Sequence, residues 1–295
     1  MEDFVRSLVL GASSGGIYAL IAVCYVIIFK ATRVFPFSQA GMITVGAYVM
    51  WHCLIVWNLP IWLGIIITLT MSVIVGLIIE RAWMRPLIGQ PVLAPIVVTL
   101  AIMLMLRGIS LLIWHGQVRG FGEAFLPRGT WKIGFINLPQ VQIYGFIICV
   151  IIIALLILFY QFTRTGLAMR VVHEDHLVAQ NLGINVRRIF QYSWILSCGV
   201  AVIAGMLLGN IQGVGVDLEH NGIIGIVCVL FGGLESFAGA IIAGLTIGIL
   251  QIFAIQYLGA IMPGEITMMV PMVIMLLILM VKPYGLFGME RIERL

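Results

Sequence analysis

Apolar positions run almost unbroken along this chain, and polar positions gather in a few short connections. Stretches near 8–29, 35–57, 61–80, 92–114, 142–162, 189–210 and 264–281 each approach the roughly 20 apolar residues that a membrane-spanning helix needs. They lack the every-other-residue alternation of an outer-membrane barrel. The pattern predicts an all-α polytopic membrane protein with about eight transmembrane helices, built as a single domain over 1–295. The first run follows Glu2 and Asp3 rather than a basic segment and ends in no small-residue cleavage pattern, so it reads as a retained span.

The region 222–260 departs from this pattern. It is too long for one span, and Gly232-Gly233, Glu235 and Gly239 interrupt it. Two readings fit: one tilted helix with flanks, or a broken, re-entrant pair of segments. The broken pair is favoured, because it puts Lys282, Arg291 and Arg294 on the same side as the other cationic connections. Non-helical backbone at membrane depth survives only inside protein or along a water-filled cavity.

The most polar connection is Thr163–Arg188, with Arg164, Arg170, Glu174, Asp175, Arg187 and Arg188. Its arginine excess argues for the cytoplasmic side, together with Lys30, Arg33, Arg81 and Arg85, if the N-terminus lies outside. The connection carries a folding plan of its own. Asp175 can N-cap a short helix over His176–Leu182, Gly183 suits the left-handed residue after it, and Ile184 would pack back on Ala179. Two such turns span roughly 10 Å, enough for a knob at a membrane protein's mouth but not for another span. The loop His115–Gln142 falls outside by this count, although it holds Arg119, Arg128 and Lys132. Its Pro127, Gly129 and Trp131, with Trp114, read as a partly folded interfacial loop.

Composition agrees with the pattern. The chain is 62% hydrophobic and 9% charged, against about 25% charged in an ordinary soluble domain, and its mean hydropathy is +1.16. The net charge of +4 follows from loop arginines and does not point to nucleic acid. Cys24, Cys53, Cys149, Cys198 and Cys228 lie in or beside apolar runs without metal or disulfide spacing. His173, Glu174, Asp175 and His176 read as a wet helix face rather than a metal site. No G-x-x-x-x-G-K-[ST] phosphate loop occurs, and no lysine follows a glycine, so the chain cannot be its own ATPase.

Several segments occur in an order similar to that of the branched-chain amino-acid permease family of ABC importers, in its shorter-subunit form. They are Tyr18-Ala19-Leu20-Ile21-Ala22, Gly46-Ala47-Tyr48, Arg85-Pro86-Leu87, Thr165-Gly166-Leu167-Ala168-Met169-Arg170 and Leu182-Gly183-Ile184-Asn185-Val186. Gly232-Gly233-Leu234 with Gly239-Ala240, and the ending Lys282-Pro283-Tyr284-Gly285-Leu286-Phe287-Gly288, complete the series. The resemblance implies a multi-pass permease of the bacterial plasma (inner) membrane, working by alternating access on amino acids or a related small solute such as urea or an amide. It implies a second related permease, cytosolic ABC ATPases that hold ATP and magnesium, and an extracytoplasmic solute-binding protein. The chain itself would bind no cofactor. The connection 163–188 would couple to the ATPase through Gly166, Arg170, Glu174, Asp175, Ala179, Leu182, Gly183, Ile184 and Asn185.

Departures from the family pattern bear on the solute. Pro36-Phe37-Ser38-Gln39-Ala40-Gly41 stands where members commonly read Asn-Phe-Ala-His-Gly-Glu, Leu167 replaces a frequent arginine, and Glu235-Ser236 replaces Gly-Ser. The lost histidine and glutamate imply a less charged site, suited to an amino acid or small amide rather than a cation. Candidate path groups are Ser38, Gln39 and Thr44 in the second span, the intramembrane Arg107, and Gly232, Gly233 and Glu235 at the break. The runs Gly205-x-x-x-Gly209 and Gly244-x-x-x-Gly248 read as packing seams, with room for a partner permease at some of them. A gradient-driven secondary transporter is the alternative, but internal repeats and paired intramembrane carboxylates are not evident.

Overall fold

A computed structural model describes residues 2–91, 93–133, 136–259, 266–282 and 285–288. Arg291 and Arg294, the Pro283-Tyr284 pair and the start of the 264–281 stretch lie outside the described residues. Eleven α-helices occur among those described: α1 (Glu2–Thr32), α2 (Ser38–Trp51), α3 (Ile61–Ile78), α4 (Leu93–Trp114), α5 (Gln140–Phe162), α6 (Arg164–Glu174), α7 (His176–Asn181), α8 (Val186–Gln212), α9 (Leu218–Gly232), α10 (Phe237–Leu258) and α11 (Ile266–Val281). Among the described residues, seven helical segments have the length and apolarity to cross a membrane, and α9 and α11 are shorter apolar helices. The fold is all-α and polytopic, as the pattern predicts.

The bundle is layered around α1, α2, α8 and α9. Large parts of α1, α2 and α8 are enclosed by protein, whereas α3, α4 and α5 leave most of their surface open. Apolar side chains on those outer helices find their low-energy solvent in lipid. One end of the bundle carries α6 and α7. The other carries an antiparallel hairpin, β1 (Thr130–Ile133) with β2 (Ile136–Pro139). This partly folded loop is anchored there by a backbone bridge from Arg119 to Val214 and by Trp51 Nε1 donating to the Gly120 carbonyl at 3.1 Å.

Both small-residue seams are used inside the chain. A side chain on Gly205 would overlap the Ile43 carbonyl of α2, and one on Gly244 or Gly248 would overlap the α1 backbone at Ala19 or Gly15. Missing Cβ atoms let these helices touch backbone to backbone, where dispersion is the main attraction available in a membrane. Both seams are therefore closed within the chain itself.

Two breaks interrupt the bundle. The one at 233–236, between α9 and α10, resolves the 222–260 region in favour of the broken pair, with the first segment starting earlier, at Leu218. The other, at 33–37, lies just before the second span, which starts at Ser38, close to its expected position. Arg33 ends α1 in a left-handed conformation (φ 58°). Phe35 then folds back beside Phe29 and Tyr25, with ring centroids 6.2 and 6.3 Å away. Ser197 of α8 donates to the Cys24 carbonyl at 2.7 Å, and its neighbour Cys198 lies 3.6 Å from Gln39 Nε2. The start of α2 is thus level with Cys24, eight residues or roughly 12 Å before the end of α1. Pro36 explains the missing turn, since it removes an amide donor and disfavours helix at Phe35. The third span also runs on past 80, through a π-helical stretch (Ile79–Met84) to Leu87.

Candidate functional site

The polar connection folds as two helices, not one. Thr163 caps α6 by accepting from the Gly166 amide at 3.0 Å. Gly166 is obligatory at that corner, because a Cβ there would press on the Phe159 and Tyr160 carbonyls. Arg170 donates to the Gln161 carbonyl at 3.1 Å, tying α6 back to the end of α5. The helix ends at Glu174, and Asp175 caps α7 by accepting from the Leu177 and Val178 amides at 2.6 and 3.2 Å.

Helix α7 closes as its sequence predicts, though at Asn181 rather than Leu182. Gly183 has φ +77°, its amide reaches the Gln180 carbonyl at 2.9 Å, and the Ile184 amide reaches Ala179 at 3.0 Å. This is the paired hydrogen-bond ending of a Schellman motif. Ala179 and Ile184 join Met169, Val172, Tyr160 and Ile189 in a small apolar cluster under α6 and α7, separate from the main core. Asn185 starts α8 by accepting from the Arg188 amide at 3.2 Å. Every residue assigned to coupling therefore lies in this one compact unit. Its outer face leaves Leu177, Val178 and Leu182 exposed at 71%, 50% and 66%.

Arg33 joins this unit to the bundle. Its guanidinium pairs with Glu235 at the α9–α10 break and donates to the His173 carbonyl of α6 at 3.1 Å. His173 Nδ1 lies 3.0 Å from the Lys30 carbonyl, and its Nε2 lies 3.5 Å from Glu235. A carbonyl only accepts, so Nδ1 carries the proton. Burial lowers the pKa of His173 below its ordinary value. The bond to Lys30 and the Glu174 charge work against that shift, while Arg33 and Lys30 add to it. Burial thus favours the uncharged ring, and at 3.5 Å the Nε2 contact with Glu235 is weak. Lys30 extends over the rings of Tyr160 and Phe237, 5.2 and 5.0 Å from their centroids, drawing α5 and α10 into the same joint.

The candidate path residues divide into groups. Ser38, Gln39 and Thr44 are fully buried, and among the described residues Ser38 Oγ, Gln39 Oε1 and Thr44 Oγ1 have no protein partner, nor do the hydroxyls of Tyr25 and Tyr48. Arg107 pairs with Glu219 at the start of α9, linking α4 to α9 near the hairpin end. There Tyr48 stacks on Trp114, with centroids 4.9 Å apart. Asn210 is also buried, with both amide atoms unpartnered.

Gly232, Gly233 and Glu235 lie elsewhere, at the α6–α7 end. The carbonyls freed at the break are taken up by the C-terminal turn: Phe231 accepts from the Leu286 amide at 2.9 Å, and Gly232 from Phe287 at 3.1 Å. The break is sealed by protein instead of offering backbone to a solute, and Glu235 belongs to the Arg33 joint. Sequence reasoning missed Glu219, Asn210, Tyr48 and the Arg33 joint. Glu219 was legible, with Asp217, as a carboxylate beside an apolar run, but its distance of 112 residues from Arg107 hides the pairing.

Comparison with known proteins places this geometry. A family model described as the permease component of branched-chain amino acid transport systems matches residues 7–279. The high-affinity branched-chain amino acid permease LivH of Escherichia coli K12 is 25% identical, covering 99% of this chain and 97% of its own. A probable LivH of Methanocaldococcus jannaschii is 30% identical over 92% and 88%. More remotely, the galactofuranose transporter permease YtfT of E. coli K12 is 30% identical over 70% and 60%. The solved structure titled PsaBC from Streptococcus pneumoniae in complex with Fab shares the fold, with TM-score 0.51 at 15% identity over 96% of this chain and 94% of its own. This multi-pass membrane protein belongs to the permease-component family of branched-chain amino acid transport systems.

Proposed function

We propose that this chain is one permease subunit of an ATP-driven importer in a bacterial plasma membrane. It moves branched-chain amino acids, or a related small polar solute, by alternating access. A second related permease completes the membrane part, cytosolic ABC ATPases supply ATP and magnesium, and an extracytoplasmic binding protein delivers the solute. The observation that carries this reading is α7: a helix capped at both ends, seated on its own small core, with three apolar side chains turned outward. A short helix with exposed Leu177, Val178 and Leu182 has little reason to be so firmly built unless a partner covers it.

The push from the ATPase enters at α7, passes through α6 to Arg33, and reaches the α9–α10 turn through Glu235. Helix α9 then carries the movement to Glu219 and Arg107 at the opposite mouth. The unpartnered hydroxyl and amide groups on α2 lie between these points. Leaving such groups buried costs about 1–3 kcal/mol each, a cost relieved in a state that opens them to water and solute.

A photo-crosslinking residue at Leu177 or Leu182, in cells making the whole transporter, tests the docking. We expect an adduct with the ATPase from both positions and none from Leu112 on the outer surface of α4. Adducts with lipid alone at 177 and 182 would contradict the reading.

A further inference from the structure

At the α6–α7 end, a cavity of about 230 Å³ opens between the ends of α1 and α3, the start of α4, α7 and α8. Its wall combines Arg33, Glu80, Arg85 and His176 with the apolar Met84 and Trp194. Glu80 is almost wholly buried and accepts from both Nε and Nη2 of Arg85 at 3.0–3.1 Å. Arg33 faces the cavity while pairing with Glu235. Each guanidinium is thus matched by a carboxylate. Burial keeps the pKa of His176 below its ordinary value, which favours the uncharged ring, and its Nδ1 is buried without a partner among the described residues.

A wall that carries both signs, Arg33 and Arg85 with Glu80, suits a solute that does the same, and Glu235 balances Arg33 from outside the lining. A net anion faces the Glu80 carboxylate and a net cation faces two guanidiniums, whereas a zwitterion can turn each end toward the opposite sign. The Met84 and Trp194 surfaces suit an aliphatic tail.

We propose that this cavity binds a small aliphatic amino acid from the cytosolic side, and that the ligand's carboxylate competes with Glu235 for Arg33. Binding would loosen the joint between α6 and the α9–α10 turn, so accumulated product would slow its own import. The identity of the ligand rests on the importer reading above, while binding itself does not.

The test uses the assembled transporter in nanodiscs, without its solute-binding protein, and radiolabelled leucine. Saturable binding is expected, with 4-methylpentanoate and 3-methylbutylamine competing at least about tenfold less well, because each lacks one charged group. Leu87→Trp, which fills the cavity from its half-buried wall, should abolish that binding. Ile88→Trp, on the exposed rim, should weaken it and serves if Leu87→Trp fails to assemble. In proteoliposomes, leucine loaded on the ATPase side should slow initial uptake by the wild type but not by the filled variant. Undiminished leucine binding in the filled variants, equal competition by the analogues, or no saturable binding by a transporter active in uptake would each overturn the proposal. Loss of the importer reading itself would show differently, as a wild type without ATP-dependent uptake.

Discussion

Gly183 is the residue on which α7 closes, and its surroundings make it a clean probe. No atom lies near the position its Cβ would take, so a substitution there acts only through the backbone at φ +77°. Valine in that region costs at least about 1–2 kcal/mol, a factor of about 5 to 30 in the population of the capped form. Gly183→Val should therefore cut uptake severalfold while the protein still reaches the membrane. Gly183→Asn, which tolerates the left-handed region, should stay near wild type. Equal uptake by the valine and asparagine variants, measured per assembled transporter, would show that the cap does not matter.

His173 supplies a second probe at the same scale. Its pKa is lowered in the folded protein by burial, so below about pH 6.5 the unfolded chain takes up a proton that the native one refuses. The stabilisation from the neutral ring is complete above that pH and is lost as the pH falls through it. His173→Asn keeps a donor toward the Lys30 carbonyl without a titrating group. Thermal melting between pH 7.5 and 5.5 should show a shallower acid loss in the variant than in the wild type. Parallel melting curves would remove His173 from the joint's pH response.

At the scale of elements, the two glycine pairs separate assembly from transmission. A side chain on Gly244 would overlap Ala19 of α1, inside the chain's own core, so Gly244→Leu should lower the amount of folded permease. Gly233 has φ +101° and touches the Phe287–Gly288 turn, so Gly233→Leu should expel that turn and expose the Phe231 and Gly232 carbonyls. We expect it to assemble at near-normal levels yet lose most uptake. Normal uptake by assembled Gly233→Leu would show that the sealed break is not part of the moving machinery.

What could be read from the chain beforehand follows the same division. The α7 cap and its Schellman ending were legible because their rules are local: an aspartate, two turns, then glycine and an apolar residue. The break after Gly232 was legible from its composition. Helix α6 was not, because its charges marked it as loop while Met169 and Val172 buried themselves against Tyr160. The re-entrant start of α2 was hidden too, although Pro36 marks it, since an apolar run reads alike whether it is helical or extended. Arg33 with Glu235 and Arg107 with Glu219 join residues more than a hundred positions apart, and no local rule foretells such pairs.

For the whole molecule, the central claim is that a motor in separate subunits drives this chain through α7. The most direct measurement is leucine uptake into proteoliposomes holding the permease pair, its ATPases and the binding protein, with ATP present or absent and with a protonophore added. Uptake should require ATP hydrolysis, persist when the proton gradient is collapsed, and fall severalfold in Gly183→Val. Uptake that proceeds without ATP and vanishes with the protonophore would contradict that claim and identify a gradient-driven carrier.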